Sequence, residues 1–172
     1  MADEKHTDEA AAEQAQQPTA QFQVQKIYVR DASLELPNAP QIFRETGDAE
    51  INMNLSQRVS EMQGSADGVH EVVLTVTVTA KSGDKTAYLA EVHQAGLFAI
   101  VGMDERQKQF TLNTLCPHIL YPYACRVISG LVTDGGLPPL VLQPLSFEQI
   151  YAQRLQQASA ASAEGVEAQG NA

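Results

Sequence analysis

The feature that most constrains the fold is a two-residue alternation of apolar and polar side chains in the segment from Val69 to Ala80, which is unbroken from Leu74 onward. The even-numbered positions of this segment include Val72, Leu74, Val76 and Val78, and the odd-numbered positions include Thr75, Thr77 and Thr79. Because successive side chains of a strand point to opposite faces, this pattern predicts a β-strand with one buried and one solvated face. Ser82-Gly83-Asp84 then predicts a hairpin turn into a further strand from Thr86 to about Gln94.

Two more strands are predicted upstream of this hairpin. Apolar and polar residues alternate between Phe22 and Leu36, and a slip of the alternation near Lys26 predicts a β-bulge. The stretch Pro37-Asn38-Ala39-Pro40 ends this strand, because proline has no backbone N–H to donate to a neighbouring strand. The next strand shows a period of two, with apolar positions Ile51, Met53 and Leu55. The four strands predict an antiparallel sheet with one polar face.

Helical signals begin after the strands. Asp104-Glu105 suits the first turn of a helix that runs toward Cys116, since acidic side chains stabilise helix N-termini. Pro117 and Pro122 are expected to interrupt or restart this helix. Helical spacing then continues to a stop at Gly135-Gly136.

A last helix is predicted from a capping box. Ser146 is followed three residues later by Gln149, and the helix is expected to run through Leu155. Strand signals therefore precede helix signals instead of alternating with them. This order predicts an α+β fold, a four-stranded antiparallel sheet with one polar face and helices packed on the other.

The length of 172 residues suits one domain. Residues 1–21 and 158–172 are rich in Ala, Gln, Ser, Gly and acids, with too few apolar side chains to offset the entropy of ordering them. We therefore expect disordered tails at 1–21, where the tail is acidic, and at 158–172. The ordered domain is expected at 22–157.

The charge distribution limits the classes of partner. A formal net charge of −10 argues against nucleic acid, because phosphate binding needs clustered Lys and Arg. The first twenty residues lack the basic start and apolar stretch of a signal peptide, and no segment approaches the ~20 apolar residues of a membrane span. We therefore expect a cytoplasmic protein whose partners are basic or apolar.

No catalytic constellation stands out. The histidines, His6, His70, His93 and His118, show no metal-ligand spacing. Cys116 and Cys125 with one nearby histidine fall short of a four-ligand zinc pattern, so both are expected to be reduced, structural thiols. We expect a protein that is not an enzyme and that has no metal or cofactor, although a thiol reaction stays open.

Acidic residues mark one side of the predicted sheet. Asp31 and Glu35 share a strand face, and Leu89 and Glu91 share the outer face of the fourth strand. These residues are either a solvated surface or an anionic docking surface with an exposed leucine at its centre. The sequence leaves both interpretations open.

Apolar residues are unusually frequent in segments that the prolines mark as loops. Ile42 and Phe43 follow the first strand, and Leu137, Leu140, Val141 and Leu142 surround Pro138-Pro139. They either seal the end of a small core or line an apolar groove. The aromatic side chains that could complete such a groove are Tyr121, Tyr123, Phe147 and Tyr151.

Several short motifs, in order and with small gaps, resemble the SecB family of export chaperones over residues 22–157. They are Gln25-Lys26-Ile27-Tyr28 through Asp31, Pro37-Asn38-Ala39-Pro40 before Phe43, Glu71-Val72-Val73-Leu74 after His70, Val76-Thr77-Val78-Thr79-Ala80, Cys116-Pro117, Ile119-Leu120-Tyr121-Pro122-Tyr123-Ala124, and Phe147 before Tyr151. The resemblance implies a sheet-plus-helices fold and a homotetramer, a dimer of dimers. It also implies a chaperone that holds precursor proteins unfolded and delivers them to the translocation motor SecA.

Residue roles follow from the resemblance alone. It implies a client-binding groove at Ile42, Phe43, Tyr121, Phe147, Ile150, Tyr151 and Leu155. It implies SecA binding at Asp31, Glu35, Leu89 and Glu91, and an influence on the oligomer interface at Ala90, Val92 and Gln94. The loop at 46–48 lacks an aromatic residue that some members carry, which leaves this part of the groove undetermined. The alternatives are a SecB-like chaperone of a toxin–antitoxin system and a small-ligand carrier or adaptor.

Overall fold

The computed structural model describes residues 20–45, 49–62 and 68–167. The side chains of residues 161–167 lie outside this description. Most of the predicted acidic tail at 1–21 and the loop at 46–48 also fall outside it. Gln21, the last residue of that predicted tail, already begins the first strand.

Within the described ranges, four long strands form one antiparallel sheet. They are β1 (Gln21–Glu35), β2 (Glu50–Glu61), β3 (Val69–Ser82) and β4 (Lys85–Val101), in the spatial order β1-β4-β3-β2. The hairpin between β3 and β4 turns at Gly83, whose φ of 56° is a conformation that glycine adopts without a steric cost. Together with the helices, this sheet confirms the predicted α+β class.

The predicted bulge in β1 is present. The pairing of β1 with β4 shifts between Val24 and Lys26, and a second shift, which the alternation did not predict, lies between Val29 and Asp31. Each shift inserts one extra residue into β1 and reverses the parity that follows. After the second shift, Asp31 lies opposite His93 on the outer face of the sheet.

Strand β4 continues past its predicted end at Gln94. Residues up to Val101 still pair with β1 and β3, and Phe98 and Ile100 are buried on the inner face. The stacked ring of Phe22 covers Phe98, with 5.8 Å between the ring centroids. Residues on both faces of the strand are apolar after Gly96, so the alternation that marks the first part of β4 is lost there.

The first helix is shorter than predicted. It is α1 (Glu105–Asn113), and its N-terminus carries a capping box between Asp104 and Gln107. The helix is interrupted at Thr114 and not at the prolines. The Thr114 hydroxyl group donates to the carbonyl of Phe110 at 2.7 Å.

The second helix is α2 (Leu115–Asp134), and it contains both prolines. Pro117 lies in the first turn, where the missing N–H has no intrahelical partner to lose, and Pro122 lies inside the helix. The predicted stop is confirmed, since Gly135 caps the helix and Gly136 has a φ of 82°.

The third helix is longer than predicted. It is α3 (Phe147–Glu167), and the hydroxyl of Ser146 accepts a hydrogen bond from the backbone N–H of Gln149 at 3.3 Å, as one half of the predicted capping box. The expected domain boundary at residue 157 therefore lies inside a helix. Residues 168–172 of the predicted tail lie outside the described residues.

The core lies between the inner face of the sheet and α2. Buried aliphatic residues of β3 and β4 meet the buried face of α2, which packs mainly on β4, β3 and β1. None of the helices within the described residues packs on the outer face of the sheet. In the part of the chain that the structure describes, no helix is long and apolar enough to cross a membrane.

Candidate docking face and apolar groove

Four residues predicted for SecA binding lie together on the outer face of the sheet. We call Asp31, Glu35, Leu89 and Glu91 the docking face. Glu35 lies directly opposite Leu89, and Asp31 and Glu91 lie opposite His93 and Ser33 on the same two paired strands. Asp31 and Glu35 are exposed, and neither has an ion pair among the described residues. The face therefore offers unneutralised carboxylates around a half-buried leucine.

Glu91 is held more tightly than the other acids. Thr77 Oγ1 donates to Glu91 Oε2 at 2.7 Å, and His93 Nε2 lies 2.9 Å from Glu91 Oε1. The hydrogen bond from Thr77 and then that of His93 lower the pKa of Glu91, so the carboxylate stays ionised. Sequence reasoning missed these two partners, although the strand pairing places Thr77 opposite Glu91.

A second acidic residue of the outer face is neutralised within the chain. Glu71 accepts hydrogen bonds from the Tyr28 hydroxyl, from Arg30 at 3.0 Å and from Ser60 at 3.4 Å. The hydrogen bond from Tyr28 is the main cause that lowers the pKa of Glu71, and it raises the pKa of Tyr28. This cluster joins β1, β3 and β2, so the Glu71 carboxylate stabilises the sheet. Its charge is compensated by Arg30, in contrast to the charges of Asp31 and Glu35.

One apolar cavity lies on the helix side of the sheet beside α2. It has a volume of about 320 Å³ and is lined by His118, Tyr121, Pro122, Cys125, Leu142, Pro144 and Leu145. Tyr121 packs edge-on against Phe147 with 5.8 Å between ring centroids, and its hydroxyl donates to the Gln143 carbonyl at 2.8 Å. The hydroxyl thus positions the connector between α2 and α3, and burial raises the pKa of Tyr121.

A second cavity lies at the start of the same connector, next to the C-terminal end of α2. It has a volume of about 370 Å³ and is lined by Ile42, Glu45, Ala49, Ile51, Ser82, Ala87, Tyr88, Leu137, Pro138, Pro139 and Leu140. The loop after β1 thus faces the Pro138-Pro139 segment across a partly apolar space. Phe43 lies outside this cavity, half exposed and close to Gly136.

The seven predicted groove residues do not line one cavity. Ile42 lines the larger cavity, Tyr121 lines the smaller one, and Phe147 is buried behind Tyr121. Farther along α3, Ile150 is half buried, Tyr151 packs edge-on against Phe110 with 6.1 Å between ring centroids, and Leu155 is 54% exposed. The structure thus gives two cavities on one connector and an apolar strip on α3.

Strand β2 contributes groove residues that sequence reasoning did not assign. Ile51 is 40% exposed on the inner face, and the Tyr121 hydroxyl lies 3.8 Å from the Met53 sulfur. Because α2 packs mainly on the other three strands, the inner face of β2 remains partly open. The parity of β2 was the available signal, since it places Ile51, Met53 and Leu55 on the face of the core.

The three residues predicted to influence assembly are all buried. Ala90, Val92 and Gln94 lie on the inner face of β4, and even Gln94 is only 2% exposed. The Gln94 amide donates to the backbone carbonyl of Tyr28 at 2.8 Å, which ties β4 to β1 beside the second bulge. Within one chain these side chains belong to the core and not to the surface.

The thiols and histidines form no reactive arrangement in the described ranges. Burial raises the pKa of Cys116 to about 12 and also raises that of Cys125. A raised pKa reduces the thiolate that would act as a nucleophile. Among residues 20–45, 49–62 and 68–167, no group of three His, Cys, Asp or Glu side chains is placed to hold a metal ion.

The sequence of this chain is similar to those of known proteins. Residues 13–158 match the family model described as SecB, preprotein translocase subunit SecB. The protein-export protein SecB of Nitrosococcus oceani is 49% identical over 160 residues, which cover 93% of this chain and 96% of that protein. The corresponding protein of Alkalilimnicola ehrlichii is 45% identical over 161 residues, which cover 92% of this chain and 84% of that protein.

A solved structure shares the fold. It is a SecB-like chaperone of Mycobacterium tuberculosis in complex with a peptide of the antitoxin HigA1. The two chains superpose with a TM-score of 0.58 at 21% sequence identity, over 73% of this chain and 88% of that one. The extensive identity to the export proteins and the family match decide the assignment: this chain belongs to the SecB family of protein-export chaperones.

Proposed function

We propose that this chain is a cytoplasmic chaperone that holds precursor proteins unfolded and delivers them to the SecA motor. The observation that carries the proposal is the presence of two different surfaces on opposite sides of one sheet. One is an acidic face over which none of the described helices lies, and the other holds two cavities along the connector between α2 and α3, of which the smaller is mainly apolar. Two such surfaces let one molecule bind a client and the motor at the same time.

The groove side suits an unfolded client. The smaller cavity is lined mainly by apolar side chains such as Leu142 and Leu145, and Ile51 of the larger cavity is partly exposed. Apolar contacts of this kind favour any extended segment with exposed hydrophobic side chains and demand little sequence. The peptide that the Mycobacterium tuberculosis chaperone binds supports a polypeptide ligand for this fold as well.

The docking face suits a cationic partner segment. Asp31 and Glu35 are exposed carboxylates without an ion pair among the described residues, and Glu91 is fixed in its ionised form. Complementary charges steer a partner to the surface and set its orientation. Leu89, which lies beside Glu35, adds an apolar contact that a purely ionic surface would lack.

Assembly as a homotetramer, a dimer of dimers, would raise the avidity for clients. Strand β1 is an edge strand with Val24 38% and Val29 44% exposed, so pairing with a second copy would satisfy its free backbone groups. On α2, Leu115 and Tyr123 are exposed large apolar side chains that a second dimer could cover. Several grooves in one assembly bind one long chain through many weak contacts, each of which releases quickly.

The test is a mass determination of the purified protein with and without an unfolded precursor. We expect a tetramer alone and a tetramer-client complex when the precursor is added from denaturant. The folded precursor serves as the control and should not bind. A monomer that ignores the unfolded precursor would refute the proposal, and copurification with a toxin–antitoxin pair instead of SecA would favour the alternative chaperone function.

A further inference from the structure

Both carboxylate oxygens of Glu91 have a partner on the outer face of the sheet. Thr77 on the neighbouring strand β3 donates to one oxygen at 2.7 Å, and His93, which lies on β4 like Glu91, is 2.9 Å from the other. The side chains of Glu91 and His93 are each about one third exposed, at 36% and 34%. The carboxylate is thus held in one orientation while part of it still faces solvent.

We propose that Thr77 and His93 are positioning residues of the docking face, which fix the Glu91 carboxylate for a cationic segment of the partner. The inference rests on the proposed delivery to SecA. Thr77 and His93 are not among the residues predicted to contact SecA, and their proposed effect is exerted through Glu91.

Preorganisation is the reason to expect an effect from Thr77. A free glutamate side chain loses rotamer entropy when it is immobilised in an interface, and a side chain that is already held loses less. Thr77 lies opposite Glu91 on β3 and donates to Oε2, while the Glu91 side chain remains 36% exposed, so the bond holds the carboxylate and leaves part of it open to a partner. Removing the hydroxyl should therefore weaken docking without removing any charge.

The position of His93 gives the reason to expect an effect from this residue. Asp31 lies directly opposite His93 on β1, and Glu91 lies two residues before it on β4. Because His93 Nε2 lies 2.9 Å from Glu91 Oε1, the imidazole restricts the second carboxylate oxygen as Thr77 restricts the first. Removing the ring should therefore weaken docking through Glu91.

The first experiment is a calorimetric titration of full-length SecA into matched variants. We expect T77V to weaken SecA binding about fivefold, the usual contribution of one hydrogen bond, and T77S to restore it. The control is T79V, the same change two residues along the same face, at a position with no hydrogen bond to an acid among the described residues; it should bind like the wild type. Equal effects of T77V and T79V would overturn the role of Thr77.

The second experiment titrates SecA into H93A and H93Q under the same conditions as the wild type. The glutamine amide can still donate to Glu91, whereas alanine cannot. We expect H93A to weaken SecA binding about fivefold, the usual contribution of one hydrogen bond, and H93Q to restore most of the affinity. Equal affinities of H93A and the wild type would overturn the role of His93.

The two proposals can fail separately. If the wild-type protein does not bind SecA, both the proposed delivery to SecA and this inference are refuted. Normal SecA binding that D31A/E35A weakens but T77V and H93A leave unchanged would refute only the inference. Circular dichroism and the oligomer mass of each variant check that the sheet and the assembly persist.

Discussion

The two sides of the sheet bind in different ways because they are built differently. On the outer face, the positions of Asp31 and Glu91 follow from strand register, and Glu91 is further fixed by hydrogen bonds. On the helix side, the cavities lie along the connector between α2 and α3, and Tyr121 belongs to the core as well as to the wall of the smaller cavity, with buried Phe147 packed behind it. A surface change should therefore affect binding alone on the first side, but stability as well on the second.

The largest effect that this comparison predicts is on stability. F147A should lower the free energy of unfolding by about 3–5 kcal/mol, because it removes a buried ring that packs against Tyr121. D31A should change it by less than about 0.5 kcal/mol, since Asp31 is exposed. Denaturant unfolding at matched protein concentration measures both values. A similar decrease in the free energy of unfolding of the two variants would contradict the proposed structural difference between the two sides.

The second prediction separates motor binding from client holding. D31A/E35A should weaken SecA binding about tenfold, because each exposed ion pair contributes up to about 1 kcal/mol. Calorimetry at matched salt gives the affinity, and aggregation assays of an unfolded precursor give the holding activity. Client holding should stay at the wild-type level. An unchanged SecA affinity would exclude these two acids from the docking face.

The third prediction concerns the groove itself. L142S and Y151S should each reduce the suppression of precursor aggregation severalfold, because each removes apolar contact area for the client. Both residues are partly exposed, so these variants perturb the core less than F147A. The matched control is V101S, which removes an exposed apolar side chain at the end of β4, away from both cavities. If V101S is as harmful as L142S, general loss of surface hydrophobicity explains the result.

The smallest predicted effect is the pH dependence that His70 gives to stability. Burial lowers the pKa of His70 from its ordinary value of 6.5, so the unfolded chain binds a proton more readily than the folded chain. Stability should therefore fall as the pH drops through about 6.5 and below. Replacement by a neutral glutamine, H70Q, should flatten this part of the curve. Unfolding midpoints measured across this pH range check it, and identical slopes would contradict it.

Much of the fold and of the docking face could be predicted because both depend on local parity. The alternation in β3 and the bulge near Lys26 are local signals, and the outer-face position of Leu89 and Glu91 follows from the same period of two. The break at Thr114 was missed because it depends on that residue's own backbone geometry, and prolines gave a stronger but misleading signal.

The groove could be predicted only in part, because its walls are distant in sequence. Ile51 of β2 and Leu140 of the connector meet in one cavity, although almost ninety residues separate them. Whether an apolar side chain in such a wall is sealed or open depends on which strands a helix covers. Periodicity states which face of a strand is apolar, but it does not state that α2 leaves β2 partly uncovered.

The most direct test of the two-surface account is a calorimetric titration of SecA into the chaperone with and without a saturating unfolded precursor. If the docking face and the groove lie on opposite sides of the sheet and act separately, SecA should bind the client-loaded chaperone at least as tightly as the empty one, and a ternary complex should form. Displacement of the precursor by SecA, or loss of SecA binding when the client is present, would contradict the account.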